Sequence, residues 1–199
     1  MRIRWAARRG AAAARAGSGT PVGTRLAPTS RAAHCGTVTS MARYAYERLS
    51  AQDLSFLASE GESAPMHVGA VAILEAGPLR NADGGIDVDR YRCAVESVLH
   101  WIPRYRQKLA WVPIDRWPVW IDDRHFDLGY HIRHLALPRP GTLEQLKELS
   151  SRILARRLDR SRPLWEMWLI EGLEGGQHFA LLSKIHHCMT DGAGGADLS

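Results

Sequence analysis

The residues best suited to chemistry form one heptapeptide, residues 186–192, with the sequence HHCMTDG. It follows residues 179–185, a run apolar enough to be a buried strand. Because side chains alternate along a strand, His187 is expected to share a face with Ile185, while His186 points the other way. The two histidines are therefore not expected to bind one ion together, and only one of them can face a given pocket.

A neutral imidazole at a strand end suits a general base for a hydroxyl, because its pKa lies near working pH. His187 is the candidate for this role. Asp191 follows four residues later, so a turn could bring it back to orient the imidazole region. Gly192 permits backbone conformations that a Cβ disfavours. The alternative is a histidine that is only hydrogen-bonded in the core or at the surface, but the complete heptapeptide favours the base.

The heptapeptide matches the HHxxxDG signature of the CoA-dependent acyltransferase superfamily through His186, His187, Asp191 and Gly192. Three further segments narrow the resemblance, and they read LSAQDLSFL at 49–57, PMHVG at 65–69 and PLW at 163–165. Together they resemble the N-terminal half of the bacterial wax ester synthase/acyl-CoA:diacylglycerol acyltransferases. The resemblance runs from about Leu49 to the last residue.

This resemblance implies the N-terminal half of a chloramphenicol-acetyltransferase-like fold of two similar α/β domains, an α/β (α+β) class with a mixed sheet covered by helices. It implies transfer of a fatty acyl group from acyl-CoA to diacylglycerol or a long-chain alcohol, with His187 as general base. His186, Asp191 and Gly192 would complete the motif, Asp191 by orienting it. Cys188 occupies a free position of the motif. Acyl-CoA is a co-substrate, and we expect no bound cofactor or metal.

The family's chains are more than twice this long, and this one ends seven residues after Gly192. We therefore expect residues 41–199 to be an N-terminal acyltransferase domain, inactive without a C-terminal half that a separate partner could supply. Apolar surface left on the motif strand would favour self-association. Two alternatives stay open: a condensation-type acyltransferase that uses carrier-protein thioesters, and a non-catalytic lipid-binding remnant.

The net charge of +5 is unevenly distributed. Residues 1–40 contain seven arginines and no acid, whereas the rest of the chain carries 19 basic and 21 acidic side chains. The high pI is therefore no argument for nucleic-acid binding, and we expect none. We interpret residues 1–40 as a disordered Arg/Ala-rich extension or, with preference, as untranslated sequence ahead of a true start at Met41. A transit sequence or a basic arm for nucleic acid or anionic lipid is the alternative.

No apolar run approaches the roughly 20 residues that cross a bilayer. We expect a cytoplasmic protein, with peripheral contact to the inner face of the membrane or to a lipid droplet as a further option. Cysteine and histidine spacings match no disulfide pair or familiar zinc motif. The residues considered were Cys35, Cys93, Cys188, His125, His131 and His134.

Periodicity and capping residues predict the elements that must position the motif. We expect the 172–177 link to make the strand at 165–171 an antiparallel neighbour of the motif strand. The other expected elements are a helix to Ser59 capped by Ser50, a strand at 66–75 covered on both faces, a helix at 88–101, short strands or an ordered loop at 109–123, and a helix at 142–158 that starts with a capping box.

Overall fold

A computed structural model of the chain describes residues 46–190. Residues 1–40, Cys35 among them, and the motif residues Asp191 and Gly192 lie outside the described part. The strands are β1 (Glu47–Arg48), β2 (His67–Glu75), β3 (Gln107–Trp111), β4 (Pro118–Asp122), β5 (Ile132–Ala136), β6 (Trp165–Leu173) and β7 (His178–His186). The helices are α1 (Ala51–Ser59), α2 (Val88–Leu99), α3 (Leu128–His131) and α4 (Leu143–Leu154).

The motif belongs to a four-stranded sheet with the strand order β2-β7-β6-β5. The pair β5–β6 is parallel, while β6–β7 and β7–β2 are antiparallel, so the sheet is mixed as predicted. The predicted antiparallel neighbours, β6 and β7, are confirmed. A second, three-stranded sheet has the order β1-β4-β3 and turns the aromatic stretch at 109–123 into the predicted short strands.

Alternation along β6 and β7 gives the larger sheet two faces, which we name after the helices that cover them. On the α4 face, Ala180 and Leu182 of β7 pack in one buried cluster with Leu146 and Ile153 of α4. The α2 face carries the larger cluster, to which α2 contributes Tyr91. Its residues from β6 and β7 are Trp165, Met167, Leu169, Phe179, Leu181 and Ile185. Helices therefore cover both faces, in agreement with the predicted layering.

The helix starts follow the capping residues. The Asp53 backbone N–H donates to the Ser50 hydroxyl at 3.0 Å at the start of α1. At α4 the capping box is complete: the Gln145 backbone N–H donates to the Thr142 hydroxyl at 3.3 Å, and the Gln145 side-chain oxygen accepts from the Thr142 N–H at 2.7 Å. The helix ends at Leu154 rather than 158, although Leu158 is still buried.

The expectation that β2 is covered on both faces is wrong for the described part of the chain. This strand lies at the edge of the sheet, and its apolar side chains are 39–49% exposed (Val68, Val71, Ile73 and Leu74). Apolar residues on both faces of a strand indicate two apolar surfaces, but they do not indicate which neighbours cover them. The apolar surface expected on the motif strand thus belongs to β2, whereas β7 is internal.

Candidate functional site

The two histidines of the motif occupy different environments. Strand β7 runs one residue further than predicted and ends at His186, and His187 opens a short 3-10 turn, His187–Met189. His186 is fully buried on the α4 face with Lys184, whereas His187 is half-buried. The structure separates the two rings as strand alternation predicts.

The His186 ring is held in one orientation. Its Nδ1 accepts a hydrogen bond from the Cys188 backbone N–H at 3.2 Å, so the proton of the neutral ring lies on Nε2. Nε2 faces Oε1 of Glu60 at 3.7 Å. Burial lowers the pKa of His186 to about 4, against the opposing effect of the Glu60 carboxylate. His186 is therefore neutral near pH 7 and is not available as a proton acceptor for a substrate.

Glu60 is a buried carboxylate held by cationic and backbone donors. Arg160 donates to its Oε2 from Nε at 3.0 Å and from Nη2 at 2.7 Å, and the Met66 backbone N–H donates to Oε1 at 3.4 Å. Burial would raise the pKa of Glu60, but these hydrogen bonds outweigh it and keep the pKa below its usual value. Glu60 is therefore ionised beside His186.

His187 lies against helix α1. Its ring stacks on Phe56 with the centroids 5.0 Å apart and an angle of 20° between the planes. Its backbone N–H donates to the Met66 carbonyl at 2.9 Å, and its carbonyl accepts from the backbone N–H and the hydroxyl of Thr190. The backbone is thus fixed from both sides while the ring stays partly accessible, which suits a group that must exchange a proton.

Two more polar side chains on the α4 face bind the carboxyl end of α4. Lys184 Nζ donates to the carbonyls of Ile153 and Arg156, and Nε2 of His67 donates to the Leu154 carbonyl at 2.7 Å. Burial lowers the pKa values of both Lys184 and His67. His67, which belongs to the PMHVG segment, therefore contacts a helix end and caps it.

Three other residues of the heptapeptide were considered for roles at the site. Asp191 and Gly192, predicted to orient the imidazole region and to permit the turn, lie outside the described residues, and their roles stay predictions. Cys188 is buried, and burial, reinforced by the Asp53 carboxylate, raises its pKa to about 12. A thiol in this state is a poor nucleophile, because the thiolate is the reactive form.

His131 and His134, which were considered as metal ligands, each have a different partner. Nδ1 of His131 lies 2.7 Å from the Trp165 carbonyl, and its ring stacks on the Trp165 ring at 4.5 Å. His134 instead faces Glu171, with 3.4 Å between Nε2 and Oε1. Within residues 46–190, no three His, Cys, Asp or Glu side chains are grouped as metal ligands.

Among these same residues, no helix has both the length and the apolar character needed to span a bilayer.

Sequence reasoning did not identify Glu60, Arg160 or Phe56 as parts of the site. Glu60 and Arg160 are 100 residues apart, and each lies in a turn where a charged side chain is unremarkable. Lys184 carried a readable signal, since a lysine inside an apolar strand must find acceptors. Phe56 lies within the LSAQDLSFL segment, but its contact with His187 depends on the tertiary packing of α1.

Comparison with known proteins identifies the family of the chain. Residues 49–199 match the family of the wax ester synthase/diacylglycerol acyltransferase catalytic domain. The probable diacylglycerol O-acyltransferase tgs3 of Mycobacterium tuberculosis is 49% identical over 146 residues, which are 73% of this chain and 52% of that protein.

Solved structures extend the comparison to the fold. The wax ester synthase/diacylglycerol acyltransferase of Marinobacter aquaeolei VT8 superposes with a TM-score of 0.63 at 32% identity, over 76% of this chain and 35% of that one. A starter condensation domain of rhizomide synthetase RzmA gives a TM-score of 0.57 at 15% identity, over 75% and 36% of the two chains, and so shares the fold alone. The chain thus spans about half the length of tgs3 and about a third of the Marinobacter protein. On the family match over most of its length, the chain belongs to the wax ester synthase/diacylglycerol acyltransferase family.

Proposed function

We propose that this protein contributes the general base of an O-acyltransferase, which moves a fatty acyl group from acyl-CoA to the hydroxyl of diacylglycerol or a long-chain alcohol. The observation that carries the proposal is the contrast between the adjacent motif histidines, within a chain of this family. His186 is buried, neutral and bonded, whereas His187 keeps a partly accessible ring.

In the proposed reaction, His187 removes the proton of the acceptor hydroxyl as its oxygen attacks the thioester carbonyl. The new C–O bond forms, the C–S bond breaks, and the imidazolium returns the proton to the departing CoA sulfur. General-base assistance of this kind contributes about 10²–10⁴-fold to the rate. The oxyanion formed on the way needs a hydrogen-bond donor, which we expect from surfaces that longer relatives carry beyond the matched region.

An apolar strip on the α2 face supports a fatty acyl substrate. Leu181 and Ile185 of β7 lie on it, partly buried against the core cluster with Ser183 between them, and the more exposed Ala72 and Val68 of β2 pair with them. From Leu181 to Ile185 the strip is about 13 Å long at roughly 3.3 Å per residue, and His187 follows two residues later at the end of the strand. A lipid acceptor also favours a cytoplasmic protein with peripheral contact to the membrane or to a lipid droplet.

The test is an assay of acyl transfer from labelled palmitoyl-CoA to diacylglycerol or hexadecanol in mixed micelles. We would measure the chain alone and as a complemented preparation, in which a polypeptide matching the remaining length of the tgs3 relative is added. The complemented preparation should form triacylglycerol or wax ester, and it should not accept acyl-carrier-protein thioesters.

His187→Ala should lower product formation by about 10²–10⁴-fold, whereas His125→Ala, which changes an exposed histidine outside the motif, should leave it unchanged. Full turnover by His187→Ala would remove the assignment of the base. A folded complemented preparation that transfers no acyl group from CoA to either alcohol would overturn the function.

A further inference from the structure

An ion pair between a buried carboxylate and a partly exposed guanidinium lies next to the motif. The Glu60 side chain is only 1% exposed, and both Nε and Nη2 of Arg160 donate to it. Taking a carboxylate out of water costs several kcal/mol, so a buried pair is weak support for stability by itself and requires another explanation for its presence. The pair joins the segment after α1 to the turn before β6, and both flank the motif strand's end.

The first connection runs from this pair to His186. Glu60 Oε1 faces His186 Nε2, and the other ring nitrogen accepts from the N–H of Cys188, the residue after His187. Arg160 neutralises Glu60, so the carboxylate does not draw a proton onto the buried ring. Because the neutral His186 ring accepts from the Cys188 N–H, its orientation fixes the backbone of the residue that follows His187.

A second connection runs through the backbone. The Met66 N–H donates to Glu60 Oε1, and the Met66 carbonyl accepts from the N–H of His187 itself, at 2.9 Å. Glu60 is therefore two hydrogen bonds away from the backbone of the proposed base.

The third connection reaches the ring. Arg160 Nη2 also donates to the carbonyl of Leu57, at 2.8 Å, and Leu57 follows Phe56, whose ring stacks on His187. The Arg160 guanidinium thus binds both the segment that carries Phe56, which stacks on the His187 ring, and the Glu60 carboxylate, which fixes the His187 backbone through Met66.

We infer that Arg160 and Glu60, acting through His186, Met66 and Phe56, form a positioning assembly that sets the location of the His187 ring. None of these residues has to touch the substrate, so they are positioning residues. The inference rests on the proposed role of His187 as the base, but its geometry can be tested without turnover.

The test uses the full 199-residue chain with isotope-labelled histidine and NMR correlation of the imidazole nitrogens across pH. In the unmodified chain His186 should show one neutral tautomer with the proton on Nε2, and Phe56–His187 ring contacts should be visible. Arg160→Met leaves Glu60 unpaired beside His186, so His186 should gain a proton at a pH higher by about one unit or more. Glu60→Gln should keep His186 neutral but weaken the Phe56–His187 contacts.

Asp123→Asn is the matched control, because Asp123 is another buried carboxylate in an ion pair, 3.0 Å from Lys108 and outside the assembly. It should lower the melting temperature without changing the His186 or His187 signals. If Glu60→Gln and Arg160→Met stay folded with unchanged His186 titration and unchanged Phe56–His187 contacts, the inference is wrong. The same holds if Asp123→Asn changes these signals equally.

Turnover gives a separate readout. In the complemented preparation Glu60→Gln should lower kcat roughly tenfold to a hundredfold with little change in KM, because misplacing a catalytic group affects the reacting geometry. Signal changes without any loss of turnover would retain the positioning of His187 and remove its role as base, so failure of the proposed function is distinguishable from failure of the inference.

Discussion

His186 and His187 are neighbours in the sequence, but their side chains lie in very different surroundings. His186 is fully buried on the α4 face, where Nδ1 accepts from the Cys188 N–H and Nε2 lies 3.7 Å from Glu60. His187 leaves the strand and lies half-buried against one aromatic ring. The comparison teaches that the motif joins a structural group to a reactive one, and that the end of β7 is the point where the two environments separate.

The largest expected effect is on turnover, and it comes from replacing the partly accessible His187. Replacing His187 by alanine should lower turnover of the complemented preparation by about 10²–10⁴-fold, since the hydroxyl loses its base. The free energy of unfolding should change by no more than about 1.5 kcal/mol, the usual scale of one ring–ring contact. Kinetics and urea denaturation of the same preparation measure both. An equal loss of stability and activity would end the distinction between the two histidines.

The complementary change lies on the buried side. His186→Ala should destabilise the chain by roughly 2–4 kcal/mol, because it leaves a cavity and removes the acceptor of the Cys188 N–H. Denaturation midpoints give the value, and His178→Ala, a half-buried histidine at the opposite end of β7, is the control. A variant as stable as the parent would show that the buried ring is not a structural group.

The pH dependence of stability should come from the buried ring as well. Its folded-state pKa of about 4 lies below the ordinary 6.5, so the unfolded chain binds more protons between these values. Stability should therefore fall as the pH drops from about 6.5 to 4, by up to about 3 kcal/mol from this group, with no contribution above that window. His67 and His131, whose pKa values burial also lowers, act in the same direction.

Comparing the unmodified chain with His186→Asn isolates the contribution of His186 to the pH dependence of stability, since asparagine retains an acceptor for the Cys188 N–H but does not titrate. Melting temperatures from pH 4 to 8 should decline less steeply in this variant. Identical slopes would contradict the assigned pKa.

The smallest expected effect on turnover comes from Phe56, whose ring stacks on His187. Phe56→Leu should lower turnover roughly twofold to tenfold, the range that corresponds to one stacked aromatic pair. Phe126→Leu is the matched control, since Phe126 stacks on His131 in a similar way, with the centroids 5.1 Å apart. Loss of stability in both variants with loss of turnover only in Phe56→Leu would sharpen the comparison, whereas equal turnover would weaken it.

Much of this arrangement follows from local patterns. Alternation through residues 179–187 predicted that the two rings would separate, because the side-chain period of a strand is fixed. The Thr142 and Ser50 caps predicted the starts of two helices, because capping depends on residues three positions apart. The short link before β7 predicted its antiparallel pairing with β6.

The rest depended on distant partners. Nothing near Glu60 indicates Arg160, and nothing in the sequence of β2 indicates that it forms the edge of the sheet. Burial of charge depends on how the turns after α1 and before β6 meet, and this meeting is set by packing of the whole domain rather than by any local period. The stacking of Phe56 on His187 has the same origin.

The edge position of β2 has a practical consequence. Within the described residues, His67–Glu75 present an unpaired hydrogen-bonding edge with no charge between its two ends, which is a template for another strand. Concentrated preparations should therefore assemble along this edge before they lose their native core. Turbidity will rise while near-ultraviolet circular dichroism is unchanged, and a lysine at Ile73, half exposed on the edge, is the simplest way to keep the chains apart.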